Sequence, residues 1–406
     1  MRRQRNSLKN EMQRVSRANW RRLVNDVANS TRAPSDKGLW QLSRWSRRQA
    51  GKAHADPHMP ALKRRENDDS TNCDQERTAI LAEKFFPEPL ETDADDEPIE
   101  AREELPGPFR KEIQAALSPI VTQDEVEYVL RTLPAGKSPG PDGIPNEVLK
   151  GLTTDISAGM AQAISRSFAG EPLPSSFQES ITLALRKEGK RDYSLPGSYR
   201  PIALENTLAK VVEKILALRM RDVAEELQLL PWNQMGARQE RSTESAISLL
   251  TTCVQTAWRA KPGSVVSMLS LDLAGAYDNV PHAVLLRALR KKRLPEWMIT
   301  AVERFTQARR TRIAIPGYES DWIPTRTGIP QGSPLSPILF LFYIADLLEE
   351  FQDPQTGTLG FGFIDDTNLV TWSNTAQENC QKLEEAHQIC EQWARRSGAR
   401  FAPEKY

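Results

Sequence analysis

The stretch Phe363-Ile364-Asp365-Asp366 lies between two short apolar runs, residues 359–364 and 368–371. Two adjacent carboxylates between strand-like runs indicate a β-hairpin whose tip carries both acids. Carboxylates this close repel each other, and a bound cation is the natural compensation. Asp also favours turns for backbone reasons alone, so a simple polar turn would give the same local pattern. The hairpin by itself therefore leaves a cation site and a polar turn as open alternatives.

A second candidate acid lies upstream and changes this balance. Asp272 ends the β-rich run that begins at residue 264. Between Asp272 and the hairpin lies a Gly/Pro-rich loop, residues 327–337, which leads into the apolar stretch 338–348. The chain therefore contains, in this order, a strand that ends in Asp, a Gly-Ser loop that leads into a helix, and an Asp-Asp hairpin. This order favours a carboxylate site assembled from distant segments.

In this order the three segments resemble motifs A, B and C of the palm of a reverse transcriptase. Other stretches resemble the fingers motifs, the loop ahead of the fingers and motif D of LINE-type (non-long-terminal-repeat) retrotransposon polymerases. The fingers motifs correspond to residues 198–202, 233–238 and 241–243. The loop ahead of the fingers corresponds to residues 137–145, and motif D corresponds to residues 398–405. The resemblance covers residues 75–406.

The resemblance implies an α+β fold, the fingers and palm of a right-hand polymerase, with helices packed on an antiparallel palm sheet. We expect three regions: a basic helical N-terminal region and linker (1–75), a helical extension before the fingers (76–177), and the fingers and palm (178–406) with motifs 1, 2, A, B, C and D. The chain ends at Tyr406, directly after motif D, and nothing ahead of the fingers resembles an endonuclease. We therefore expect a fragment with the thumb missing and with weak, distributive activity.

The formal net charge of +0 hides a strong asymmetry along the chain. Residues 1–66 contain 17 Lys and Arg against 5 Asp and Glu, whereas residues 91–104 contain 8 acids against Arg102 alone. The basic arm, in which we predict two helices, suits electrostatic contact with nucleic acid, although a solvated tail would show the same pattern.

Cysteine spacing and hydropathy exclude other classes of protein. The four cysteines form no Cys-x-x-Cys pair, which argues against a zinc site. The Arg-rich start lacks the apolar run of a signal peptide, and no stretch reaches the roughly 18 apolar residues of a membrane span. We expect a ribonucleoprotein of the nucleus and cytoplasm, with no membrane partner.

The resemblance assigns metal binding to Asp272, Asp365 and Asp366, together with the backbone carbonyl of Leu273. These groups would hold two Mg²⁺ ions, with Mn²⁺ as an alternative, and the three aspartates would be catalytic. Asp278 is expected to cap the helix that begins near Pro281 rather than to bind metal.

The same resemblance assigns substrate binding to five residues and proton transfer to one. Lys187 and Arg200, at the fingers hairpin, would grip the triphosphate of the incoming nucleotide. Tyr277 would close against a ribose 2′-hydroxyl and so select deoxynucleotides. Gln331 and Gly332 would contact the nucleotide, and Lys405 of motif D would protonate the departing pyrophosphate.

The implied function is RNA-templated addition of deoxynucleotides to a primer 3′-hydroxyl during retrotransposition. Its partners would be an RNA template, a DNA primer or target, dNTPs and other parts of the same polyprotein, such as the endonuclease and the thumb. A catalytically weak or inactive RNA-binding fragment is the alternative from a binding class, and intact Asp272, Asp365 and Asp366 argue against it. An RNA-dependent RNA polymerase is a third possibility, which Tyr277 and the motifs that contain Arg200 and Gln331-Gly332 disfavour.

Overall fold

The computed structural model describes residues 59–71, 73–89, 110–353 and 357–403. The two predicted basic helices near the start of the chain and Lys405 lie outside these residues. Among the described residues, no helix is long and apolar enough to cross a membrane.

Helices and strands alternate irregularly along the described chain, as the predicted α+β class requires. The helices are α1 (Asp74–Phe85), α2 (Lys111–Leu117), α3 (Gln123–Thr132), α4 (Asn146–Gly151), α5 (Thr153–Phe168), α6 (Thr207–Glu226), α7 (Thr243–Ala260), α8 (His282–Lys291), α9 (Glu296–Thr306), α10 (Ser336–Glu349) and α11 (Ala376–Ser397). The strands are β1 (Glu179–Arg186), β2 (Tyr199–Glu205), β3 (Val265–Asp272), β4 (Arg310–Ile315), β5 (Tyr318–Glu319), β6 (Ile323–Pro324), β7 (Thr358–Phe363) and β8 (Asp366–Ser373).

One sheet has three antiparallel strands in the order β3-β8-β7. Strands β7 and β8 form the hairpin predicted from the sequence, with Ile364 and Asp365 as its two turn residues. Strand β3 is distant in sequence, yet it pairs with β8 over its whole length, from Val265 to Asp272. This pairing brings the end of β3 beside the hairpin tip.

The other sheet has five strands, with β2-β1-β4-β5 in order and β6 also paired to β4. Strands β1 and β2 are antiparallel neighbours joined by a loop, whereas β1 and β4 run parallel. A parallel pair needs a long connection, and here the connection contains β2, β3 and helices α6 to α9. The sequence alone gave no sign of this parallel pairing.

Helix α10 forms the centre of the main hydrophobic core. Its sequence is apolar on every side, and such helices are normally buried rather than amphipathic. Phe340 and Phe342 are completely buried in it, and residues of α6, α8 and α11 belong to the same core cluster. The predicted helix over 338–348 is confirmed with slightly wider bounds.

Residues 60–71 differ from the linker that the sequence predicted there. Leu62 is fully buried, and its carbonyl accepts a hydrogen bond from the Thr71 amide at 2.8 Å. The amide of Lys63 donates to the carbonyl of Ser194 in the loop between β1 and β2, also at 2.8 Å. A single buried leucine in a polar segment is difficult to recognise from sequence, because it has no periodic partners.

Candidate active site

Asp272 and Asp366 face each other across neighbouring antiparallel strands. They are register partners at the end of the β3–β8 pair, and both are at least partly exposed. Facing Cα atoms in such a pair are separated by about 4.5–5.5 Å, so the two side chains leave the same face of the sheet close together. The structure therefore brings together two aspartates that are distant in sequence.

Asp365 occupies the hairpin turn directly before Asp366. The preceding residue, Ile364, has a φ of 59°. A positive φ at the first central position is the arrangement of the two-residue turns that match strand twist, and a β-branched residue there is unusual. The turn thus combines a tight geometry with backbone strain at Ile364.

The donor chemistry of this end of the sheet suits a hard divalent cation, since carboxylate oxygens are the ligands that Mg²⁺ uses in proteins. Within the described residues, no three His, Cys, Asp or Glu side chains are gathered closely enough to hold a metal ion. The fit therefore depends on backbone placement: the paired strands present Asp272 and Asp366 opposite each other, with Asp365 in the adjoining turn.

Leu273 continues the chain from β3 and forms an isolated antiparallel bridge with Phe401. The hydrogen bonds of this bridge are made by flanking residues: the Ala402 amide donates to the Asp272 carbonyl at 2.9 Å, and the Ala274 amide donates to the Arg400 carbonyl at 2.8 Å. The segment that leads towards Lys405 therefore runs beside Asp272, and the Leu273 carbonyl takes no part in these two bonds.

Tyr277 lies between the acidic hairpin and the core. Its ring stacks on Phe340, with ring centroids 5.1 Å apart and planes 11° apart. Burial, with a smaller contribution from the negative charge of Asp365, raises the pKa of Tyr277 to about 12. The phenol is therefore neutral at physiological pH, and its ring packs flat on Phe340.

The expectation that Asp278 caps the next helix is wrong. Helix α8 has Pro281 at its N-cap position and no side-chain cap. Asp278 instead accepts a hydrogen bond at 2.8 Å from the Nε2 of Gln331, which is distant in sequence. Burial raises the pKa of Asp278 to about 6, against the opposing effects of Gln331 and of the charges of Lys187 and Lys84.

Gly332 contacts strand β2 at very short range. It has a φ of 137°, and a Cβ added there would lie 2.4 Å from the carbonyl oxygen of Ala203. The adjacent Gln331 carbonyl accepts a hydrogen bond from the Ala203 amide at 2.8 Å. The loop is thus fixed against β2, and contact with protein backbone already requires glycine at position 332.

Lys187 and Arg200 lie at the same end of the β1–β2 hairpin. Arg200 is exposed and pairs in register with Leu185. Lys187 follows β1, and its Nζ donates to the Gly197 carbonyl at 3.0 Å. The positive charge of Lys187 slightly opposes the raised pKa of Asp278, the hydrogen-bond partner of Gln331.

Sequence reasoning missed a buried charged cluster behind the Gly332 loop. Glu205 is completely inaccessible and pairs with Arg309, which is 5% exposed. Glu213 accepts a hydrogen bond at 2.6 Å from the hydroxyl of Ser333, the residue after Gly332. Burial, and then the neighbouring Glu205 carboxylate, raise the pKa of Glu213 well above its usual range. In the sequence, the only indication of this cluster is that its charged residues interrupt runs of apolar residues.

Comparison with known proteins places these features in a family. Residues 185–406 match the family model described as reverse transcriptase (RNA-dependent DNA polymerase). The chain is 30% identical over 293 residues to a probable RNA-directed DNA polymerase from transposon BS of Drosophila melanogaster, which covers 71% of this chain and 32% of that protein. It is 25% identical to the RNA-directed DNA polymerase from the mobile element jockey of the same species, covering 75% of this chain and 33% of that protein.

Among solved structures, apo telomerase from Candida tropicalis is similar with a TM-score of 0.43 and 11% identity, covering 63% of this chain and 48% of that one. The chain spans about a third of the length of the curated relatives named above.

Proposed function

The chain belongs to the reverse transcriptase (RNA-dependent DNA polymerase) family, and we propose that it adds deoxynucleotides to a primer 3′-hydroxyl on an RNA template, within a LINE-type retrotransposon. The observation that carries this proposal is the pairing of Asp272 with Asp366, with Asp365 in the adjoining turn. In this proposal the three-stranded sheet is the palm, the β1–β2 hairpin belongs to the fingers, and residues 178–406 form the polymerase region.

Catalysis of phosphoryl transfer depends mainly on positioning and on stabilisation of charge. Asp272, Asp365 and Asp366, with the Leu273 carbonyl, would hold two Mg²⁺ or Mn²⁺ ions, which when bound supply a more acidic primer hydroxyl and stabilisation of the leaving pyrophosphate. The register of β3 and β8 fixes the backbone of Asp272 opposite that of Asp366. The protein would therefore contribute a backbone that places these carboxylates at one end of the sheet.

The remaining proposed site residues surround this end of the sheet. Lys187 and Arg200 would bind the triphosphate as point charge and planar fork, respectively. Tyr277, held flat on Phe340, would exclude a ribose 2′-hydroxyl by its bulk. Gln331 and Gly332 would contact the nucleotide from the loop fixed to β2. Outside the described residues, Lys405 would donate a proton to pyrophosphate.

The proposed partners follow from this reaction. They are an RNA template, a DNA primer or a nicked chromosomal target, dNTPs and other parts of the polyprotein. We propose that the protein acts in a ribonucleoprotein found in nucleus and cytoplasm.

The direct test is extension of an oligo(dT) primer annealed to poly(rA), with Mg²⁺ and dTTP. We expect extension by the wild-type chain and a loss of at least about 1,000-fold in Asp365→Asn, because the amide removes charge from the proposed cation site. Asp321→Asn is the matched control, since Asp321 is exposed beside the five-stranded sheet, and it should extend primers normally.

Two outcomes would contradict the proposal. Equal primer extension by Asp365→Asn and the wild type would show that Asp365 is not needed to bind the proposed metal ions. Tight binding of poly(rA)·oligo(dT) without extension, by a folded wild-type chain, would favour the RNA-binding alternative.

A further inference from the structure

A short buried segment, residues 233–236, runs beside the first strand of the acidic hairpin; we call it the cradle. The amide of Gly362 in β7 donates to the Asn233 carbonyl at 3.0 Å, and the Met235 amide donates to the Gly362 carbonyl at 2.7 Å. Gln234 and Gly362 form a parallel bridge. The cradle therefore acts as an additional short strand next to β7.

The side chain of Asn233 strengthens this attachment. It is completely buried, and its Nδ2 donates to the carbonyls of Gly360 and Leu348, both at 2.8 Å. Gly360 belongs to β7 and Leu348 to the last turn of α10. One amide group thus fixes the hairpin strand to the central helix of the core.

The end of the cradle contacts the hairpin turn itself. A Cβ added to Gly236 would lie 2.6 Å from both the amide nitrogen and the Cγ1 of Ile364, and 3.0 Å from the carbonyl carbon of Phe363. Backbone atoms cannot move aside cheaply in a packed interior. Only glycine permits this approach, and the approach occurs at the one turn residue whose φ is strained.

Strained backbone persists only where surrounding structure fixes it. The cradle is itself anchored on its other side: Arg241 donates to the Gln234 carbonyl at 2.9 Å, and Arg238 donates to the Pro231 carbonyl at 2.7 Å while it pairs with Glu225. The anchoring side chains, Arg238 and Arg241, belong to the two segments 233–238 and 241–243 that resemble fingers motifs.

We propose that the cradle is a positioning element that holds the Ile364–Asp365 turn in its strained conformation, so that Asp365 and Asp366 remain opposite Asp272. The proposal rests on the proposed function only in taking these carboxylates as catalytic. Its structural half, that the cradle fixes the turn, stands on the hydrogen bonds and close contacts alone.

The test is Gly236→Ala, with Gly159→Ala as the matched control. Gly159 lies in α5, where an added Cβ meets nothing within 4 Å. Hydrogen exchange on the free protein, followed by mass spectrometry, should show about tenfold faster exchange in the peptide that covers 357–367 for Gly236→Ala alone. In primer extension, kcat should fall about 100-fold, because displacement of catalytic groups by about 1 Å has that effect.

The dissociation constant for primer–template should stay within about twofold of the wild type for both variants. The Mg²⁺ concentration for half-maximal rate should rise in Gly236→Ala only. If Gly236→Ala fails to fold, Arg241→Met removes the anchor of the Gln234 carbonyl and should give the same pattern with about a tenfold loss of kcat.

Unchanged hydrogen exchange in the peptide 357–367 of Gly236→Ala would contradict the proposal that the cradle fixes the turn. Faster exchange with an unchanged kcat would overturn its positioning role and leave a purely structural one. A folded wild-type chain that extends no primer would contradict the proposed function, while the exchange measurement would still decide whether the cradle fixes the turn.

Discussion

The two sheets hold their carboxylates in opposite ways. In the three-stranded sheet, Asp272 and Asp366 face each other at a partly exposed edge, placed there by backbone register. In the five-stranded sheet, Glu205 at the end of β2 is fully buried and pairs with Arg309. Facing acids at an exposed edge repel each other and cost the fold a little stability. A buried acid paired with a cation makes the fold sensitive to loss of that cation, because the remaining charge would then be buried alone.

The largest effect on stability should come from breaking the buried pair. Arg309→Met leaves Glu205 buried without its cation, and we expect the free energy of unfolding to fall by about 3–5 kcal/mol. Urea denaturation followed by circular dichroism measures this change. Arg64→Met is the matched control, because Arg64 pairs with Glu83 at the exposed surface, and its stability should change little. Equal losses in the two variants would contradict the contrast between buried and exposed pairs.

We expect an intermediate effect on stability at Asp278, which is neither a facing acid at an exposed strand edge nor a buried acid paired with a cation. Its raised pKa means that the native state binds the proton more tightly than the unfolded state, so its contribution to stability is complete below about pH 4 and is lost as the pH rises through about 6. Asp278→Asn should therefore be more stable than the wild type by about 1–3 kcal/mol at pH 7.5, and the difference should vanish near pH 4. A difference that is independent of pH would contradict the assigned burial of this carboxyl.

The smallest effect is expected at the paired aspartates. Like charges directly opposite each other on paired strands are unfavourable, so Asp366→Asn should raise the free energy of unfolding by about 0.2–1 kcal/mol. Asp321→Asn, which has no facing acid across a strand pair, should leave it unchanged. A clear loss of stability in Asp366→Asn would show that the carboxylate supports the fold.

Local features of the fold could be predicted from the sequence. The Asp-Asp hairpin follows from adjacent acids between apolar runs, and the structure confirms it. The start of helix α3 at Gln123 is likewise marked by a local capping pair, Thr122 and Glu125. The strand that ends in Asp272 was also predicted, and the structure adds its register with β8. These features share one property: the residues that decide them are neighbours in sequence.

Features that depend on distant partners could not be predicted in the same way. Asp278 matches the local pattern of a helix cap, but its partner Gln331 is 53 residues away. Glu205 and Arg309 are separated by 104 residues, and neither has a local pattern that distinguishes it from a surface charge. Likewise, Gly236 contacts Ile364 only because residues 233–236 pair with β7.

Asp272 and Asp278 belong to one short segment but have different surroundings: Asp272 faces Asp366 across paired strands, whereas Asp278 accepts a hydrogen bond from Gln331. Under the proposed function, Asp272 belongs to the reacting centre and Asp278 does not. The most direct test measures primer extension on poly(rA)·oligo(dT) by Asp272→Asn and Asp278→Asn side by side, under identical Mg²⁺ and dTTP. We predict that Asp272→Asn loses at least about 1,000-fold in kcat, whereas Asp278→Asn, whose amide oxygen can still accept from Gln331, stays within about tenfold of the wild type. Equal losses in both variants, or full activity in Asp272→Asn, would contradict the account.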